Sequence, residues 1–442
     1  MVKEYVVLVI WCFYIAIATV YSIIYLSTTR FNGTIEFPLL SWSIDFLDPE
    51  WRVLYRYVQA LLIYLLCYFF LRHLFRKQRM PFYIFSGIIF GGYLSRFGFA
   101  INLILIFANF IFVKLCKQSA QFLKLHWILH LIIIYLINIL NGLNNIWGDS
   151  GKEFNQAAPI PWQHIYVWNL LRMTSYNVEV QEIKLIEYLA YLLYPPLYYS
   201  GPLIQFTDWQ TQIRMNLSVI KKHKYIISGV ILLALQILTQ CYAVANHKGN
   251  EWLWKKQITT LSGISFFVTS AIQIYFKFIF LWALQECWAS YDDVDIQTNN
   301  PKNMFLINSA QSFEKCFCAT YKNFITKYVK DVFSQNIYLN LLLIYSITII
   351  LVNSDTKTIW FYVTLFLFHL FEDKIQIQNK LFAITIRSIQ QCVILLEIIT
   401  MYTSDIDIIW IYVKQKNLYW IPLIFGTCLL TQIYLSITKQ IS

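Results

Sequence analysis

Long apolar blocks alternate along this chain with short charged clusters and with a few longer segments that mix Trp, Tyr and Phe with charges. A bilayer-spanning helix needs ~20 mainly apolar residues. About ten blocks approach that length, near 5–26, 57–74, 97–115, 124–140, 186–206, 225–245, 262–286, 335–353, 358–371, 380–402 and 418–437. The block from Tyr5 to Leu26 is too long for a signal-peptide core and has no small-residue cleavage site, so it reads as a retained helix. Phe82 to Leu94 is short for an ordinary crossing and Arg96 interrupts it, which predicts a hairpin or a re-entrant helix. Asn141 to Lys184 and Cys287 to Ser334 are too amphipathic to span and too aromatic for idle linkers. They lie along the interface or fold into the interior. Residues 1–442 thus read as one membrane-embedded domain without a soluble domain or internal repeat. The predicted fold class is all-α: a polytopic membrane bundle of about 10–12 spanning, tilted and re-entrant helices.

One block departs from a plain anchor. Glu187 to Phe206 is apolar enough to span but contains Pro195, Pro196, Gly201 and Pro202. Proline removes a helical donor and clashes with the preceding turn. In hydrocarbon the freed carbonyls need other partners, so broken helices occur where protein or a wet cavity surrounds them. A break at Tyr194-Pro195-Pro196 is predicted, with a second at Gly201-Pro202, and with them a shaped interior. The plainer alternative is a kinked helix without chemistry.

Composition supports the membrane reading. The 442 residues are 58% hydrophobic and 13% charged, against roughly 25% charged in soluble domains. The net charge of +11 sits between apolar blocks, a topological pattern rather than a nucleic-acid face. The cluster Arg72 to Arg79 and the loop Arg214 to Lys224 are expected in the cytosol, and Thr28 to Asp48 on the other side. The nine Cys are mostly single and inside apolar blocks, without zinc-finger or redox spacing. His126 and His130 are four apart, but no third ligand is evident, and no metal is expected.

A candidate base lies at His369, near the end of an apolar run that begins at Trp360. A polar side chain at membrane depth is a functional candidate by default. Glu372 and Asp373, three and four positions on, share its helical face, and a carboxylate there would hold one ring nitrogen and leave the other as base. The plainer alternative is an interfacial His beside a charged helix end.

Several segments, in collinear order, resemble the membrane-bound O-acyltransferases, in the branch that holds the glycerol-uptake-protein-like enzymes and Hedgehog acyltransferase. Asp45 to Arg52 is similar to its acidic motif ending in Trp-Arg. Trp168 to Val178, with Arg172 and Ser175, resembles its Leu-Arg-Met-x-Ser-Phe segment. Glu187 to Phe206 resembles its Pro-Leu, Gly-Pro motif, and Pro301 to Met304 its Pro-Glu-Asn-Met. Lys327-Tyr328 falls at its Arg-Tyr pair, and Phe368-His369 at the segment holding its essential His.

The resemblance implies transfer of a long-chain acyl group from acyl-CoA to a hydroxyl of a lipid or lipid-linked acceptor, among them a glycosylphosphatidylinositol lipid, within the endoplasmic reticulum membrane. His369 would be the general base. Arg172, Tyr194, Asn303 and Lys327 would line or organise the chamber. Acyl-CoA is then a substrate, no resident cofactor is implied, and membrane lipids are the surrounding partners. The chain also departs from the family pattern. Cys318 stands at its second polar catalytic position, where a thiol serves as a weak donor or an acyl relay. Phe317 and Phe368 replace Trp, and Asp331 to Ser334 replaces Pro-Leu-Gly-Gly. A rival reading follows: a catalytically impaired relative that acts as a membrane scaffold or as a subunit of a larger complex. A transporter is the weaker third reading, suggested by the broken helices alone.

Overall fold

The computed structural model describes residues 34–37, 42–45, 49–119, 121–139, 158–199, 202–215, 229–230, 277–296, 309–317, 319–330, 332, 336–352, 356–374 and 384–394, with four isolated positions, 425, 428, 429 and 432. The block expected near 5–26, most of those near 225–245, 262–286 and 418–437, and the candidates Asn303 and Cys318 lie outside the described residues.

The described part is helical, with one addition. Strands β1 (Thr34–Phe37) and β2 (Trp42–Asp45) pair antiparallel, Thr34 opposite Asp45 and Phe37 opposite Trp42. The all-α expectation read this region as a loop, but Thr34, Ile35, Phe37, Trp42 and Ile44 are β-branched or aromatic and favour a pleated ribbon. Helices α1 (Pro49–Leu74), α2 (Arg79–Ser95), α3 (Phe97–Cys116), α4 (Phe122–Ile139) and α5 (Trp162–Glu179) follow. Next come α6 (Leu185–Leu192), α7 (Phe206–Met215), α8 (Ala310–Phe317), α9 (Ala319–Val329), α10 (Ile337–Val352) and α11 (Thr356–Lys374). Residues 277–291 and 384–394 are also helical.

Arg96, at φ 49°, separates α2 from α3 at the point where it interrupts the apolar run. On α3, Asn102, Ile106, Asn109 and Val113 recur at helical spacing and are buried. Ile104, Phe107, Ile111 and Leu115 on the other side are exposed. Helix α1 likewise turns Leu66 and Phe70 outward. Polar groups inside with large apolar groups outside invert the pattern of a water-facing helix. Among the described residues α3 is the one helix long and apolar enough to cross a membrane, and shorter apolar helices lie at Gln59–Leu74, Phe122–Ile137, Ile337–Leu351 and Thr358–Glu372.

The core is centred on α5. Of the segments too polar to span, this one folds into the interior, with Asn169, Arg172, Thr174, Ser175 and Asn177 buried together. Helices α3, α4, α6, α7 and α9 pack against it. His126 and His130 of α4 meet its polar face. His130 Nε2 lies 3.1 Å from Asn109 Oδ1 and its Nδ1 2.6 Å from the Tyr166 hydroxyl. His126 Nε2 lies 2.9 Å from Thr174 Oγ1, whose proton goes to the Leu170 carbonyl. Neutral rings protonated on Nε2 satisfy all of these contacts, so the spaced His pair cross-links helices.

Candidate active site

The predicted break is present and its backbone is satisfied by side chains. Helix α6 ends at Leu192, Tyr194 has ψ 110°, and Pro195–Leu197 form one 3₁₀ turn. Residues 202–205 are not helical, so the block does not run as one span. In a continuous helix the Tyr191 carbonyl would accept from residue 195, but Pro195 has no N–H. The Arg172 guanidinium takes that place, donating to Tyr191 O at 3.5 Å, to Tyr198 O at 3.1 Å and to Asn169 Oδ1 at 2.7 Å. Further along, the Ile204 carbonyl accepts from the Tyr191 hydroxyl at 2.6 Å. Leu203 N–H donates to Thr320, Phe206 N–H to Ser175 and Thr207 N–H to Glu179.

Two further candidate residues, Tyr194 and Lys327, brace this segment. The Tyr194 hydroxyl donates to Asp292 Oδ2 at 3.0 Å, beside the Tyr68 hydroxyl at 2.6 Å, while Arg72 Nε reaches Oδ1 at 2.9 Å. Arg72, from the basic cluster expected in the cytosol, is thus buried in an ion pair. Lys327 and Tyr328 both close on Glu179, and Lys327 also reaches Gln205. Glu179 lies at the C-terminal end of α5, outside the predicted spans. Burial works to raise its carboxyl, but hydrogen bonds from Lys327, the Thr207 N–H and Tyr328 outweigh it and hold it below the usual carboxylate range. The Lys-Tyr pair therefore clasps α9 to α5.

In front of this braced segment lies a cavity of about 1140 Å³. Its walls are apolar for most of their extent, with Leu61, Phe90, Leu171, Ile344 and Leu365 from five helices. His369 lines it, with Glu314, Lys322 and Tyr345. His369 Nδ1 is 3.4 Å from the Tyr345 hydroxyl and 3.8 Å from Glu314 Oε2. Tyr345 donates to Glu314 Oε1, and Lys322 pairs with Glu314 Oε2. The expected partner Glu372 accepts the N–H groups of Ala310, at 2.7 Å, and Gln311, at 3.4 Å, and so caps the helix that carries Glu314.

Arg172, Tyr194 and Lys327 stand behind the wall rather than on it. Phe313 and Tyr321, which flank Cys318 in sequence, are on the wall. Sequence reasoning missed Glu314, Tyr345 and a second imidazole, the exposed His164, whose Nε2 accepts from Trp168 Nε1 at 3.3 Å. A signal for Glu314 existed: it lies four residues before Cys318, about one helical turn. Among the described residues no group of three or more His, Cys, Asp or Glu is placed to hold a metal ion.

No protein-family model matches the chain. Curated proteins do. It is similar to the membrane-bound O-acyltransferase GUP1 of Candida tropicalis, 24% identical over 270 residues, 46% of this chain and 46% of that protein. The corresponding protein of Schizosaccharomyces pombe is 22% identical over 160 residues, 35% of this chain and 27% of its own length. GUP1 of Saccharomyces cerevisiae is 25% identical over 156 residues, 34% of this chain and 27% of that protein. The matched segments thus cover less than half of each of these relatives.

Proposed function

The chain belongs to the membrane-bound O-acyltransferase family, and we propose that it transfers a long-chain acyl group from acyl-CoA to a hydroxyl of a lipid or lipid-linked acceptor, with His369 as general base. The observation that carries this reading is an imidazole on the wall of an apolar cavity, with one ring nitrogen facing Tyr345 and Glu314. The volume of about 1140 Å³ exceeds the ~300–1,000 Å³ of pockets for drug-sized ligands and suits an acyl chain with a polar head. The acceptor oxygen attacks the thioester carbonyl and its proton passes to the His369 imidazole. The tetrahedral intermediate then collapses, the C–S bond breaks, and the CoA thiolate takes the proton from the imidazolium. The products are an ester and free CoA. Under this proposal the protein is a multi-pass protein of the endoplasmic reticulum and a glycosylphosphatidylinositol lipid is its acceptor. Asn303 and Cys318 keep their proposed places in the chamber. Arg172, Tyr194 and Lys327 organise it through the braced segment behind the wall.

The test is purified protein in nanodiscs, given labelled acyl-CoA and a panel of lysolipids, including a glycosylphosphatidylinositol lysolipid. Transfer is expected, and His369→Ala should lower it ~10²–10⁴-fold, about 2.7–5.4 kcal/mol of barrier, with acyl-CoA binding retained. Equal rates in parent and variant would remove His369 from the chemistry. The scaffold reading draws on Cys318 at the second polar position, and it requires that the parent transfer nothing to any acceptor.

A further inference from the structure

The carboxylate that faces His369 Nδ1 comes from a different helix than the sequence suggests, and its surroundings decide which ring nitrogen carries the proton. Glu314 has two donors at its oxygens: the Tyr345 hydroxyl at Oε1 and the Lys322 ammonium at Oε2. The phenolic proton is thereby committed to the carboxylate. The Tyr345 oxygen then faces His369 Nδ1, at 3.4 Å, with lone pairs only, and Glu314 Oε2 stands 3.8 Å from the same nitrogen. An unprotonated Nδ1 would set its own lone pair against a phenolic oxygen and a carboxylate. A proton on Nδ1 turns both contacts attractive, and leaves Nε2 as the basic nitrogen. Glu372, from the same helix as His369, caps the helix that carries Glu314 and so fixes the distance between the two.

The geometry points to Glu314, acting through Tyr345, as the positioning residue of His369: it fixes the Nδ1-protonated tautomer and stabilises the imidazolium that forms when the acceptor proton arrives. This supplies a partner where the chain has Cys318, from about one helical turn earlier. Its consequence for rate rests on the reading of His369 as the base; its statement about the tautomer does not.

Both parts are testable on the full chain in nanodiscs. With ¹⁵N-labelled histidine, and with the signal assigned by its loss in His369→Gln, the nitrogen shifts report the tautomer at a pH where the ring is neutral. The parent should show the Nδ1-protonated form. Glu314→Gln and Tyr345→Phe should each give a mixture or the Nε2-protonated form, and Tyr345→Phe serves if the first variant does not fold. A parent protonated on Nε2, or variants with the parent's tautomer, would overturn the inference. In the transfer assay Glu314→Gln should lower kcat at least ~10-fold, below the ~10⁴-fold seen when a triad loses its orienting carboxylate. KM for acyl-CoA should stay within about twofold, and Glu314→Asp should recover part of the rate because the charge remains. A normal kcat in Glu314→Gln beside an inactive His369→Ala would overturn the positioning role alone. An active His369→Ala beside the expected tautomer change would sink the base assignment and leave the pairing standing.

Discussion

At the scale of single residues, buried charges hold this protein's interior in register. Asp292 is fully buried and gathers Tyr68 and Arg72 from α1 and Tyr194 from the broken segment. Removing one partner of a buried ion pair leaves an uncompensated charge, at about 3–5 kcal/mol. Asp292→Asn should therefore lower the thermal midpoint of the detergent-solubilised protein far more than Tyr194→Phe, which deletes one hydrogen bond to a charge, about 1.5–3 kcal/mol. Equal shifts would show that the pair is not the dominant contact. Glu179 adds a pH-dependent contribution. Its carboxyl is depressed in the folded protein from an ordinary value of 4.5. The stability that it contributes is thus complete above about pH 4.5 and is lost as pH falls through the depressed value. The midpoint difference between the parent and Glu179→Gln should be constant near neutrality and shrink in acid below that pH. A difference that grows in acid would refute the clasp.

At the scale of elements, the broken segment depends on a close approach as much as on its prolines. Helix α2 packs on α6 and on the turn after it. A Cβ at Gly87 would lie 2.0 Å from the Leu193 carbonyl oxygen, and backbone cannot yield as a side chain does. Gly87→Ala should force α2 off the break, at about 1–3 kcal/mol or more, the usual range for overpacking. Wild-type thermal stability and monodispersity in that variant would contradict the packing. Arg172→Met should be worse, since it strands the Tyr191 and Tyr198 carbonyls, each about 1–3 kcal/mol when buried without a donor.

At the scale of the whole molecule, one cavity connects the outer helices α1 and α2 to the imidazole on α11. Thr348 lies on its wall, one helical turn beyond Tyr345. Thr348→Trp should fill space beside the site and shift preference toward shorter acyl chains. Steric selection in an apolar pocket is worth ~10–200-fold per methylene, so the ratio of kcat/KM for long over medium chains should fall at least ~10-fold. An unchanged ratio would place the acyl slot elsewhere.

The sequence by itself determined what depends on neighbours along the chain. Apolar length set the helices from Phe97 to Cys116 and from Phe122 to Ile139 close to the predicted limits. Proline stereochemistry set the break at Tyr194, and the run ending in His369 marked the candidate base. The tertiary structure decided which polar groups meet. Glu372 shares a helical face with His369, yet it accepts the backbone donors of Ala310 and Gln311, and Glu314 arrives from 55 positions earlier. In sequence Arg72 is one of a basic cluster, and only the fold sets Asp292, 220 residues away, beside it. The β1–β2 pair depends in the same way on contacts between two strands. Helical periodicity and proline act over one or two turns, so a linear reading finds them. A buried polar group takes whichever donor or acceptor the packed chain brings within about 3 Å, and that choice exists only once the helices have assembled.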